Sequence, residues 1–242
     1  MNLSIKANQD ERVFKKGDTI ELIGFGVNFI VGPNGCGKST ILHAIRAHRD
    51  SLYENLNPNI RMEFARNTDL TLYSKGVFDI QGLDEYKYVF CLDTQVDNPV
   101  SFMNAGSATA LIHSGGLQYG HISRGQGSQM MMARFITDIQ KMMNVDPLDD
   151  TTWPTSDRSL IVIDELDEGL DLNGQMKFHR LLSNMGRIFN ADVICVCHNP
   201  LCILPSIYTN VYDMSTRSYK DINTYIKEQT GKEIIIKDID ND

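Results

Sequence analysis

Nine residues, "GPNGCGKST" at Gly32–Thr40, restrict this 242-residue chain more than any other stretch. They match the pattern G-x-x-x-x-G-K-[ST] in full. The apolar run Val27–Val31 precedes them. "STILHAIRAHRDSLY" follows, with Ile41, Leu42, Ile45 and Leu52 at helical spacing. The expected local fold is therefore buried strand, glycine-rich loop, helix. Glycines let such a loop wrap with its N–H groups inward, and the helix N-terminus adds positive potential, so the loop is built to cradle phosphate. Asn34, Gly35, Cys36, Gly37, Lys38, Ser39 and Thr40 are the expected nucleotide-binding residues. Lys38 would reach the β- and γ-phosphates, and the Ser39 hydroxyl would ligate Mg²⁺. Cys36 admits two readings, a tolerated small residue or a thiol made reactive by the helix N-terminus.

A second stretch supplies acids. "SLIVIDELDEGLD" begins as an all-apolar strand, Leu160–Ile163, and ends in Asp164 and Glu165. Two carboxylates at the end of a dry strand are costly unless a metal offsets their charge. Asp164 is placed to hold the Mg²⁺ shell. Glu165, one residue further, is placed to accept a proton from an attacking water or to orient it.

The rest of the chain sets the fold class. "LSIKA" and "DTIELIGFGVNFIVG" read as β-structure. Residues 59–92 read as short strands divided by turn signals at Asn67, Lys75-Gly76 and Gly82, ending in "YKYVFCL", and are expected to form an antiparallel flank. A helix is expected from about Gln126 to Met143. "DVICVC" is another buried strand, between helices at "NGQMKFHRLLSNMGRIF" and "YKDINTYIKEQTG". Short apolar strands alternating with helices predict an α/β fold with a mainly parallel central sheet flanked by helices. No composition shift marks a boundary, so residues 1–242 are expected to form one domain, with a short helical region at about 97–143.

Charge narrows the partners. A net charge of −8 argues against a broadly basic nucleic-acid footprint, although it leaves room for a local patch. The longest apolar runs are too short to span a bilayer, and "MNLSIKANQDERVF" lacks the basic and apolar regions of a signal peptide. Five cysteines without framework spacing suit a reducing compartment. The expected location is the cytoplasm, or a host cytoplasm for a phage-encoded chain.

These motifs together resemble the ABC-type ATPases of the P-loop NTPase class. That family carries an L-S-G-G-Q signature between its nucleotide motifs, and Ile122-Ser123-Arg124-Gly125-Gln126 stands at that place. It also carries D-E-P-x-x-G-L-D, matched by Asp164–Asp171 with Leu166 for the proline. A switch histidine follows the next strand, matched by His198, and a glutamine follows an earlier one, matched by Gln95. The resemblance implies that Ser123, Gly125 and Gln126 meet ATP held by a second copy of the chain. It implies that Asp171 lies in the dimer loop and that His198 is catalytic beside Lys38 and Glu165. Arg124 replaces a glycine; it is either a cation for the trans γ-phosphate or a solvent-facing side chain. Gln95 is either a Mg²⁺ or water contact or an ordinary loop residue. "CVCHNPLC" also groups Cys195, Cys197, His198 and Cys202, but C-x-C-H lacks the usual zinc spacing.

About 27 residues lie between Gln95 and Ser123, which is short for a transporter subunit's helical subdomain, and no coiled coil is present. The chain is thus similar to the small soluble SMC/RecF-like branch, of bacterial or phage type. That branch implies an ATP-dependent homodimer acting on a protein or nucleic-acid partner in DNA repair, recombination or phage–host conflict, without membrane insertion. A transporter ATP-binding subunit and a non-hydrolysing nucleotide sensor are the alternatives.

Overall fold

The computed structural model describes residues 2–53, 76–93, 124–143, 157–164 and 170–236. Among them lie nine strands and four helices. They are β1 (Asn2–Ala7), β2 (Thr19–Ile23), β3 (Val27–Val31), α1 (Lys38–Tyr53), β4 (Phe78–Gln81), β5 (Tyr88–Asp93), α2 (Arg124–Met143), β6 (Ser159–Asp164), α3 (Leu172–Ile188), β7 (Ala191–Val196), β8 (Thr209–Asp213), β9 (Ser218–Lys220) and α4 (Ile222–Thr230).

Period-two alternation builds a small antiparallel sheet in the order β2-β1-β4. Leu3, Ile5 and Ala7 of β1 point to one side, and Ile5 pairs with Ile20 on β2 and Ile80 on β4. One apolar face results, as expected of a half-buried sheet. The main sheet is different. Its order is β5-β6-β7-β3-β8-β9, parallel from β5 to β8, with only β9 antiparallel. Every residue of β3, β6 and β7 is buried, the signature of a parallel sheet covered on both faces.

Two cores cover those faces. On one side, α1 packs Ile41, Leu42 and Ile45 with Ile30, Val162, Ile194 and the apolar face of the small sheet. On the other, Phe29, Ile161, Val193 and Cys195 meet Ile139 of α2, Phe178 and Leu182 of α3, and Tyr225 of α4. Phe178, Leu182 and Met185 recur at helical spacing, so α3 buries one stripe.

Two expectations need correction. The antiparallel flank assigned to residues 59–92 holds for β4 but not for β5, which pairs in parallel with β6 along Tyr88–Asp93. The expected helix at "YKDINTYIKEQTG" begins later. Tyr219 and Lys220 belong to β9, and Asp221 caps α4 by accepting from the N–H groups of Asn223 and Thr224.

The two ends of the parallel sheet differ in how their polar groups are used. At the N-terminal end, the Arg158 guanidinium is 2.7 Å from Asp192, 2.8 Å from the Gly24 carbonyl and 3.4 Å from Glu85. Tyr86 donates its hydroxyl to the same Asp192 at 2.8 Å. At that end Arg158 and Asp192 are engaged with each other and also line an open cavity of about 380 Å³ with Val27, Ala191 and Tyr208. The C-terminal end carries the glycine-rich loop.

Candidate functional site

Register fixes which residues meet at the C-terminal edge. Ile30 on β3 pairs with Val196 on β7, and Ile163 on β6 pairs with Cys195. One residue beyond those pairs stand Val31 at the end of β3, Cys197 just after β7 and Asp164 at the end of β6. The edge therefore presents the loop after β3, His198 after β7 and Asp164 at the tip of β6. One strand, β7, separates the phosphate loop from the acidic tip. The Cys197 N–H donates to the Ile30 carbonyl at 3.1 Å, which pins the chain just before His198.

The loop has the conformation its glycines were expected to allow. Gly35 and Gly37 have φ of 82° and 98°, where a side chain would be strained. At Gly37 there is also no room, since an added Cβ would come within 2.8 Å of the Phe14 ring and of Val13. Val13 and Phe14 thus form a wall against the loop, which sequence reasoning missed. Their only signal was two apolar residues inside a polar turn.

Lys38 opens α1 and is 5% exposed. Its ammonium donates to the Gly32 carbonyl at 2.8 Å and the Pro33 carbonyl at 3.1 Å. A buried cation is thereby held at the loop on carbonyl oxygens. Ser39 is half-buried and Thr40 buried in the same first turn, while Asn34 and Gly35 are exposed on the loop. The first turn of α1 contains no acidic side chain, so its positive end is not neutralised from within. Cys36 is half-buried and packs against the core below the loop.

Asp164 is 5% exposed at the tip of β6. His198 is exposed on the same edge. Among the described residues no three His, Cys, Asp or Glu side chains converge on one point, so Cys195, Cys197, Cys202 and His198 form no metal cage. Residues and group fit: a buried ammonium, amides at a helix start, a hydroxyl and a carboxylate suit a nucleotide with Mg²⁺. Ser39 and Asp164 are the residues that would hold the ion, with phosphate oxygens and water completing its shell.

Asp171 has a local role. Its Oδ1 accepts from the Gly174 N–H at 2.7 Å and caps α3. Arg124, Gly125 and Gln126 lie within the first turn of α2, which begins two residues earlier than expected. Gln95, Ser123 and Glu165 lie outside the described residues.

β8 ends beside the loop at Asp213, which is 1% exposed. It lies 2.9 Å from the Lys220 ammonium and accepts from the Ser215 N–H and the Thr216 hydroxyl. Burial works to raise its pKa, but Lys220 and the two donors outweigh burial and hold it below the ordinary 3.8. A depressed carboxylate contributes stability that is present above about pH 4 and lost as pH falls through its folded value. Asp213→Asn should cost ~2 kcal/mol at pH 7, a fall in Tm of about 4–8 °C for a chain of this size, and less at pH 3. Thermal melts at the two pH values test this; an equal loss at both would show that the charge is not what matters.

Residues 11–83 match the family described as AAA domain. That span holds the phosphate loop, α1 and the Val13–Phe14 wall. No curated protein matches the chain significantly. Similar solved structures include one provisionally described as a metal-chelate type ABC transporter in an inward-facing conformation. It is 17% identical, with 94% of this chain and 87% of that chain covered and a TM-score of 0.49. Stu0660 of Streptococcus thermophilus is 11% identical over 94% and 78%, with a TM-score of 0.48. cbiO1 from Clostridium perfringens, part of the ABC transporter complex cbiONQ, is 16% identical over 94% and 91%, with a TM-score of 0.46. Likeness at this level leaves the reading of the site to its own residues. Among the described residues no helix is long and apolar enough to cross a membrane.

Proposed function

We propose that the chain is an ABC-type ATPase that closes as a homodimer around ATP and Mg²⁺ and uses that closure to act on a partner. The observation that carries this reading is the shared edge. A phosphate loop with buried Lys38, the acidic tip Asp164 and the loop bearing His198 end side by side, with β7 between the first two. Lys38 and the loop amides would bind the phosphates. Glu165, next to Asp164 in sequence, would take or orient the proton of water. His198 would donate to the γ-phosphate through one ring nitrogen. When bound, Mg²⁺ supplies charge neutralisation on the phosphate oxygens.

The trans contact is the finer part of the proposal. Arg124, Gly125 and Gln126 form the first turn of a 20-residue helix with no acid in that turn. This supports a role for its amides, with Ser123, toward an anion. One chain then cannot complete a site alone. The SMC/RecF-like role on nucleic acid or in phage–host conflict is the biological setting we favour, on the short span between Gln95 and Ser123.

Mixing two inactive variants tests the dimer. Lys38→Ala keeps its Ser123 turn, and Ser123→Arg keeps its phosphate loop. Their heterodimer contains one complete site, so mixing should restore a measurable share of turnover. Turnover by a proven monomer, independent of protein concentration, would sink the trans reading.

A further inference from the structure

Helix α3 grips the loop that carries His198 through two side chains on one face, Gln175 and His179. The Gln175 Oε1 accepts from the Asn199 amide at 2.8 Å and from the Cys202 thiol at 2.7 Å. His179 Nδ1 lies 2.7 Å from the Cys202 carbonyl. A carbonyl only accepts, so the proton sits on Nδ1. Asn199 in turn accepts from the Leu201 N–H at 3.3 Å and caps the turn Pro200–Cys202. The loop after β7 is thus a small ordered unit held to α3.

Gln175 has a second hand. Its Nε2 donates to the Leu170 carbonyl at 3.1 Å. Leu170 and Asp171 lead into α3, and Leu172 behind them is 56% exposed. The amide orientation is settled by its partners. Oε1 must face the donors Asn199 and Cys202, and Nε2 must face the acceptor Leu170. One half-buried side chain therefore hydrogen-bonds both the His198 loop and the segment that enters α3.

We propose that Gln175 is a positioning residue that couples these two segments, so that phosphate contact at His198 shifts Leu170–Asp171. This rests on the reading of His198 as the residue that meets the γ-phosphate. In a closed dimer it would let occupancy of one site alter the segment facing the other chain. The coupling needs no covalent step. It needs both hydrogen-bonding ends of one amide. The Oε1 end was not legible in the sequence, because Asn199 and Cys202 are 24 and 27 residues away.

Hydrogen exchange with and without ATP-Mg²⁺ tests it. In the wild-type chain, amides 170–174 and 198–202 should slow together, by about tenfold. Gln175→Met keeps the length of the side chain and removes both polar ends. It should uncouple the segments, leaving less than about a twofold response at 170–174. Gln175→Glu keeps the acceptor and removes the donor to Leu170, so it should hold the 198–202 response and lose that at 170–174. Turnover should fall about tenfold in Gln175→Met, the scale of one lost hydrogen bond to a polar network. In a His198→Ala background the same substitution should cost less than about twofold more, because the two act in series. ADP affinity should change little, while the loss of the three hydrogen bonds should lower Tm by several degrees. Joint slowing of both segments in Gln175→Met and Gln175→Glu would overturn the proposal. So would a wild-type chain that binds ATP without any response at 198–202. A wild-type chain that binds ATP but does not turn it over sinks the hydrolysis reading instead, and the exchange experiment still decides the coupling.

Discussion

Lys38→Ala should lower ATP affinity by at least about 100-fold. The lysine is the one cation buried in the glycine-rich loop among the described residues, and it already rests on the Gly32 and Pro33 carbonyls. Charge-assisted hydrogen bonds to phosphate contribute ~1.5–3 kcal/mol each, and two of them account for the factor. The folded chain should tolerate the change. Gly32 is half-buried and Pro33 exposed, so water can replace the ammonium at both carbonyls. The clearest readout is the ligand-induced shift in Tm. With ATP-Mg²⁺ at about a hundred times its Kd, the wild-type chain should gain ~2.7 kcal/mol, a rise of about 5–10 °C. Lys38→Ala should show almost none at that concentration, with its unliganded Tm within about 3 °C. A variant that binds ATP with wild-type affinity would remove the loop from the nucleotide site.

This residue also shows what kind of information a sequence carries. The strand Val27–Val31, the loop and α1 are contiguous, and their geometry is local, so the motif could be read with its flanks. The buried strands β6 and β7 were legible for the same reason, since unbroken apolar runs fit a sheet covered on both faces. β5 was not. "YKYVFCL" reads equally well as an antiparallel or a parallel strand, and its neighbour β6 decides the matter from across the chain. Asp171 adds a local signal: it stands just before "LNGQ" and caps α3 through the Gly174 N–H, a role compatible with the dimer-loop position that the resemblance implies. The candidate site follows the same division. Lys38, Ser39 and Asp164 come to one edge as their motifs require. The Val13–Phe14 wall and the Gln175 contacts with Asn199 and Cys202 depend on tertiary packing, and no spacing rule reaches them.

Glu165→Gln should keep ATP binding and lose turnover by about 100-fold or more, the scale of a lost general base. The argument begins at Asp164. A carboxylate that is 5% exposed at the tip of an apolar strand is costly without a cation, and the nucleotide proposed for the phosphate loop would bring Mg²⁺. If Asp164 serves the ion, the acid adjacent to it is left for the water. The two substitutions should therefore differ in kind. Asp164→Asn should weaken the Mg²⁺ dependence of ATP binding. Glu165→Gln should leave that dependence intact and remove only the chemical step. Removing the base also blocks exit from the ATP-bound state, so Glu165→Gln should accumulate as a dimer with ATP-Mg²⁺ and return to monomer with ADP. Each chain carries a net charge of −8, which opposes association, and bound ATP-Mg²⁺ must offset that repulsion. The dimer should then weaken when EDTA removes the metal. Single-turnover hydrolysis and size-exclusion chromatography together decide the assignment. Wild-type turnover in Glu165→Gln would show that another group handles the proton, whereas a dead variant that stays monomeric with ATP would keep the base and discard the ATP-bridged dimer.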